Sequence, residues 1–174
     1  METVTISKMH PVWNDLHAIM QCRSKDSGRP NMQGILVEKA ETGSRFVTTD
    51  GYTMGILETD QEFEPGYYDV IAETKTNFVL QRNTEFEFPD YKPVIPKGRD
   101  ESAKKQFTCN KDNIDFSKFA ATIIRMLPDT LGVNLDFLKK VYIPRETYKV
   151  SVDDGGPILF ENCTKTFLVM PARL

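Results

Sequence analysis

Apolar and polar residues alternate with a period near two along much of this chain and switch to a helical spacing in three places. The alternating run Thr3 to Ser7 predicts an opening strand. Pro11, suited to a first helical position, precedes Val12, Leu16, Ile19 and Met20, whose spacing predicts an amphipathic helix ending near Cys22. The polar stretch Arg23 to Pro30 reads as a loop. Gly34 to Glu38 and Arg45 to Thr49 flank the turn Glu41-Thr42-Gly43 in a hairpin pattern, Thr53 to Glu58 adds a strand, and a Pro65-Gly66 turn leads into the apolar run Tyr67 to Ala72.

The second half repeats that order in outline. Gln106 to Cys109 suggests a strand, and Asp115 is placed to cap a helix with the apolar face Phe116, Phe119, Ala120, Ile123 and Leu127, which Pro128 stops. Asn134 caps a shorter helix carrying Leu135, Leu138 and Val141, closed by Pro144. Thr147 to Val152 alternates, Asp153-Asp154-Gly155-Gly156 supplies residues tolerant of positive φ, Ile158 to Glu161 returns as a hairpin partner, and Thr166 to Met170 is the last strand. The pattern predicts an α+β fold of two similar units, residues 1–72 and 103–174, joined by an ordered connector, 73–102. Within that connector Thr76 to Leu80 reads equally as a helical turn or a strand, and Pro89, Pro93 and Pro96 forbid a regular element. Phe86, Phe88, Tyr91, Val94 and Ile95 require something to pack against, unlike a glycine- and serine-rich linker.

At 174 residues, with 40% hydrophobic and 27% charged residues, the chain is long and apolar enough to bury a core without a metal or disulfide staple. No run approaches the ~20 apolar residues of a membrane span and the start lacks a basic, apolar leader, so a cytoplasmic protein is expected. Cys22, Cys109 and Cys163 have no paired spacing and read as free thiols. The net charge of −3 argues against coating nucleic acid with the whole surface, while leaving room for a local basic face. Three clusters are available: Arg23, Lys25 and Arg29; Arg99, Lys104 and Lys105; and Lys139, Lys140 and Arg145.

Catalytic chemistry is hard to assemble from these residues. His10 and His17 join no metal-ligand spacing, the ten glycines form no phosphate-cradling loop, Asp153 and Asp154 fit a turn, and no nucleophile motif occurs. A non-enzyme without metal or cofactor is expected.

Three segments remain: Thr49-Asp50-Gly51, Phe88-Pro89-Asp90-Tyr91 and Met170-Pro171-Ala172-Arg173-Leu174. Together, and in this order, they resemble the bacterial DNA polymerase III beta sliding clamp family. Arg29, Gly34 and Glu38 resemble that family's strand entry before the turn, and the likeness reaches from about residue 8 to 96 and from about 131 to 174.

The resemblance implies strand-helix-multistrand repeats with antiparallel sheets outside and helices on an inner, DNA-facing side. It implies a replication processivity factor that tethers polymerases and repair proteins through short motifs rich in glutamine, leucine and phenylalanine. Carried over residue by residue, the partner-peptide cleft comprises Met32, Thr49, Gly51, Tyr52, Met54, Pro89, Val94, Leu168 and Met170, with Pro171 and Arg173 at its rim. Arg23, Lys25 and Arg29 are the expected DNA contacts, in a bacterial cell or a phage-infected one. The departures are Tyr52-Thr53-Met54 where the family has histidine, arginine and leucine, a segment from Leu80 to Phe88 too short for the usual strands, and a length about half that of a three-domain clamp, without its first domain. An alternative keeps the cleft without the ring: an adaptor or competitor that captures clamp-binding motifs without encircling DNA. A possible homo-oligomer follows from the first reading only.

Overall fold

A computed structural model of the chain describes residues 2–96, 107–108, 115–144, 146–152 and 156–173. The first unit runs β1 (Thr3–Ser7), α1 (Trp13–Ile19), β2 (Ile35–Lys39), β3 (Ser44–Thr49), β4 (Thr53–Thr59), β5 (Gly66–Glu73) and β6 (Asn77–Asn83). The second runs β7 (Phe107–Thr108), α2 (Phe116–Met126), β8 (Leu131–Gly132), α3 (Leu135–Val141), β9 (Lys149–Ser151), β10 (Ile158–Glu161), β11 (Lys165–Val169) and β12 (Ala172–Arg173).

The helices start and stop for local reasons. The Asp115 carboxylate accepts the Lys118 amide at 2.9 Å and the Asn134 side chain accepts the Asp136 amide at 2.8 Å, satisfying N–H groups that have no intrahelical partner. Helix α1 begins two residues after Pro11, is capped at Val12 without a side-chain bond, and tightens into a 3₁₀ turn over Met20–Cys22.

Ten described strands form one antiparallel sheet in the order β1-β6-β5-β2-β3-β4-β11-β10-β9-β7. The two units meet where β4 pairs with β11, Met54 opposite Leu168 and Ile56 opposite Thr166. The sheets of the two units are therefore continuous, a pairing that periodicity within each strand does not specify. The ambiguous stretch at Thr76 is resolved as a strand: β6 lies between β5 and β1, so the first sheet extends to Asn83, into the span expected as connector. Of the predicted 106–109 strand, Gln106 and Cys109 fall outside the described residues, as do Asp153, Asp154 and Gly155 of the predicted turn. β8 and β12, a two-residue pair bringing the end of the chain back to the loop between α2 and α3, have no counterpart in the sequence pattern.

The pleat sorts side chains onto two cores. Phe46, Leu57, Tyr68, Ile158, Phe160, Phe167 and Val169 face one way and pack with Trp13, Leu16 and Ile19 of α1, Phe119 and Ile123 of α2, and Leu138 and Val141 of α3. Val47, Met54, Ile56, Tyr67, Leu159 and Leu168 face the other way, where Phe88 and Tyr91 of the connector cover them. Helix α1 approaches closely because residue 55 lacks a side chain: a Cβ on Gly55 would stand 2.8 Å from the Ile19 Cβ. Lys165, 3% exposed, lies on the helix side and pairs with Asp15 of α1 and with Glu146, tying the two units together. No helix among the described residues is long and apolar enough to cross a membrane.

Candidate functional site

The turn between β3 and β4 is stabilised by its own side chains. The Asp50 carboxylate accepts the Tyr52 amide at 2.9 Å, the Thr53 amide at 2.6 Å and the Thr53 hydroxyl at 2.9 Å, while the Thr49 hydroxyl accepts the Gly51 amide at 3.0 Å and donates to the Thr53 carbonyl at 2.8 Å. Gly51 has φ +88°, a left-handed conformation that other residues adopt at a cost. Burial pushes the Asp50 carboxyl up, but the Lys140 ammonium and the two amides outweigh it and hold the group below the usual carboxylate range. Lys140 belongs to α3, and the Tyr52 ring stacks on Phe137 of the same helix at 5.3 Å and 15°. The turn is thus fastened to the second unit by one ion pair and one aromatic stack.

The connector supplies the opposite wall. Tyr91 is buried, donates its hydroxyl to Glu38 of β2, and packs edge-on against Phe88, which in turn faces Tyr67. Burial and the adjacent Glu38 carboxylate raise the Tyr91 hydroxyl to about 12, so it remains a donor at any physiological pH. Lys92 adds an ion pair to Glu38 at 3.1 Å, and a 3₁₀ turn over Lys92–Val94 swings Val94 outward, where it is exposed.

The end of β11 completes the site. The Met170 amide donates to the Tyr52 carbonyl at 2.9 Å, extending the β4–β11 pairing into the turn. These three stretches surround one depression of about 110 Å³ on the connector-covered face. Met32, Thr49, Gly51, Tyr52, Met54, Pro89, Val94, Leu168 and Met170, expected from the sequence to share a cleft, all line it. Thr53, Asp90 and Tyr91 line it as well, and the sequence reading did not place them there, although Asp90 and Tyr91 belong to the segment that carried the resemblance. Pro171, half-buried, is not among the lining residues; Arg173 lies in β12, with its side chain outside the described residues. Tyr52 is 50% exposed and Met170 36%, so apolar surface is open to solvent at the mouth.

Two of the three expected DNA contacts, Arg23 and Arg29, also make contacts within the chain. The Arg23 guanidinium pairs with Glu73 and donates to the Gln33 carbonyl at 3.3 Å. Arg29 donates to the Asp50 carbonyl at 2.9 Å and lies over the Tyr52 ring at 5.6 Å, at the edge of the depression. Lys25 is exposed. Lys139 pairs with Asp136, whereas Arg99, Lys104, Lys105 and Arg145 lie outside the described residues. On the helix side, Lys118 and Arg125 of α2 are both exposed, one heptad apart on one helical face; the sequence reading singled out neither.

His10 and His17 do not converge on one site: the His10 ring accepts the Val12 amide at 3.3 Å, and His17 packs beside Trp13 and Phe78. No group of three or more His, Cys, Asp or Glu among the described residues could hold a metal ion. Cys22 and Cys163 are free, Cys109 lies outside the described residues, and burial pushes the Cys22 thiol up to about 12.

No family model matches the sequence, and no curated protein matches it. Solved structures do. The DNA polymerase III beta subunit of Thermotoga maritima superposes with a TM-score of 0.66 at 16% identity, covering 99% of this chain and 65% of that one. The beta subunit of Borrelia burgdorferi, solved in complex with a natural product, gives 0.66 at 13% identity over 100% of this chain and 63% of that one. The sliding clamp of Bartonella birtlesii, solved bound to griselimycin, gives 0.60 at 14% identity over 99% and 66%. The chain spans about 65% of the length of these clamps. Its architecture, one large antiparallel sheet with helices on one face and a connector on the other, is the fold of the bacterial DNA polymerase III beta sliding clamps.

Proposed function

We propose that this protein is a clamp-like replication processivity factor whose depression on the connector face binds short motifs of a DNA polymerase or repair protein. The observation that carries the reading is the convergence of residues 49–54, 89–94 and 168–170 on one apolar depression with two partly exposed anchors at its mouth. Methionine, leucine, valine and proline walls suit aliphatic and aromatic anchors, and flexible thioethers accommodate more than one partner. The protein acts as a tether, with no chemistry of its own, in the cytoplasm of a bacterial or phage-infected cell. Duplex DNA lies against the helix side, where Lys118 and Arg125 of α2 are exposed.

An extended peptide rich in glutamine, leucine and phenylalanine should bind saturably without DNA, followed by fluorescence polarisation. Binding unaffected by Met170→Ala and Met54→Ala together would remove the cleft from the proposal. Retention on a nicked circular plasmid, with any required loader present, tests the encircling role.

The second reading, a module that captures clamp-binding motifs without encircling DNA, draws on the internal engagement of Arg23 and Arg29. It predicts a mass in light scattering that duplex DNA leaves unchanged, whereas a processivity clamp forms a discrete closed oligomer.

A further inference from the structure

A second depression, of about 360 Å³, lies on the same face of the sheet beside the cleft. The two are built on the same strands. Met54 of β4 and Leu168 of β11 line the cleft, and the next residues on the same face of those strands, Ile56 and Thr166, line the second depression. The connector passes from one to the other within two residues, Val94 lining the first and Ile95 and Pro96 the second. One two-residue step along a strand is about 7 Å, the length of two residues of an extended peptide.

The chemistry changes across that step. The cleft walls are mostly apolar, whereas the second depression sets Ile56, Leu159 and Ile95 beside one cation, Arg45, and two carboxylates, Glu58 and Glu161. Glu58 holds the Arg45 guanidinium, with both contacts on one oxygen at 2.9 and 2.5 Å. Glu161 is exposed and makes no ion pair among the described residues, including with Lys149, its cross-strand neighbour on β9. An unpaired carboxylate beside aliphatic surface suits a side chain that is apolar along its stem and cationic at its tip.

We infer that the second depression is an extension of the partner site that takes a basic residue, arginine or lysine, lying close to the apolar anchor in the same partner segment. Its aliphatic stem packs on Ile56 and Ile95, and its charge meets Glu161. This rests on the cleft reading above and adds a specificity determinant to it: partners are selected for positive charge next to their apolar motif.

The test uses the full chain and five synthetic peptides in fluorescence polarisation. One carries only the apolar anchors; the others are longer, with two arginines or two glutamates placed two to four residues from the anchors, each made as an N-terminal and a C-terminal extension. The arginine form of one extension should bind about fivefold tighter than its glutamate form, and Glu161→Lys should reverse that order. Glu161→Gln should abolish the preference without reversing it. The readout is the ratio of the two affinities, so a variant that folds poorly and weakens both peptides alike is not mistaken for a positive result. Binding of the anchor peptide with equal affinities for the arginine and glutamate forms at both ends overturns the inference and leaves the cleft standing. No binding of any peptide overturns both.

Discussion

The two faces of the sheet bury similar residues and end in opposite states. On the helix side, α1, α2 and α3 press aromatic and aliphatic side chains onto Phe46, Phe160 and Phe167, all at 0% exposure. On the other side a single irregular connector covers the sheet with two anchors, Phe88 and Tyr91, and leaves a depression beside them. The difference follows from geometry. A helix offers an apolar stripe that meshes with a sheet along its length, while a proline-broken connector has no repeating stripe and touches the sheet only where its large side chains fall. The first arrangement stabilises the fold, and the second leaves apolar surface available to a partner.

Truncation on the helix side should be the most damaging change. Phe160→Ala is expected to cost about 3 to 5 kcal/mol in urea denaturation, because the surrounding helices and strands cannot collapse into the space. Lys165→Met should come next, at about 3 kcal/mol or somewhat less: it leaves the Asp15 and Glu146 carboxylates without their shared cation, although both keep some access to water. A loss below half a kcal/mol in either case would mean that the helix side is not the stabilising one.

On the connector side the expected effects are smaller and more specific. Asp50→Asn should destabilise by roughly 2 kcal/mol at neutral pH through loss of charged hydrogen bonds. The sign with pH is definite: a carboxyl held below its ordinary value in the folded state contributes fully above that ordinary value, and the contribution disappears as pH falls through the lower, folded-state one. Thermal melts of the two proteins should therefore converge on acidification, and a gap that stays constant would remove the Lys140–Asp50 pair from the account. Tyr91→Phe, losing one bond to Glu38, should cost about 1 kcal/mol and loosen the cleft wall, seen as weaker peptide binding. Met170→Ala sharpens the contrast most: within about 0.5 kcal/mol of wild type in stability, as for a partly exposed side chain, yet weaker in peptide binding by roughly 1 to 2 kcal/mol.

How far the sequence could be read differs between these faces. Asp115 and Asn134 stand where helix caps are needed, and both caps occur. The lining of the depression was named through the resemblance that three short segments carry, each holding turn or strand-end residues, a glycine, prolines and a Met-Pro step, that stand out in one sequence; local conformation alone did not bring them to one site. Thr76 to Leu80 was not legible, since a half-apolar run of that length fits a strand or a helical turn, and only the pairing of β6 with β5 and β1 decides between them. The internal contacts of Arg29 were not legible for a related reason. A cation in a loop after a helix looks available to phosphate, and its contacts with the Asp50 carbonyl and the Tyr52 ring come from a turn twenty residues further on.

The amino-acid sequence alone determined the alternation of strands and helices, the caps and turns, and which residues are apolar enough to line a site, because these depend on neighbours a few positions away. The tertiary structure decided that β4 pairs with β11, that the connector crosses the face opposite the helices, and that Lys140 and Phe137 brace a turn some ninety residues earlier in the chain. Strand partners are chosen by burial summed over the whole sheet, and the ion pair and the aromatic stack form only once that pairing has brought distant segments within a few ångströms of one another.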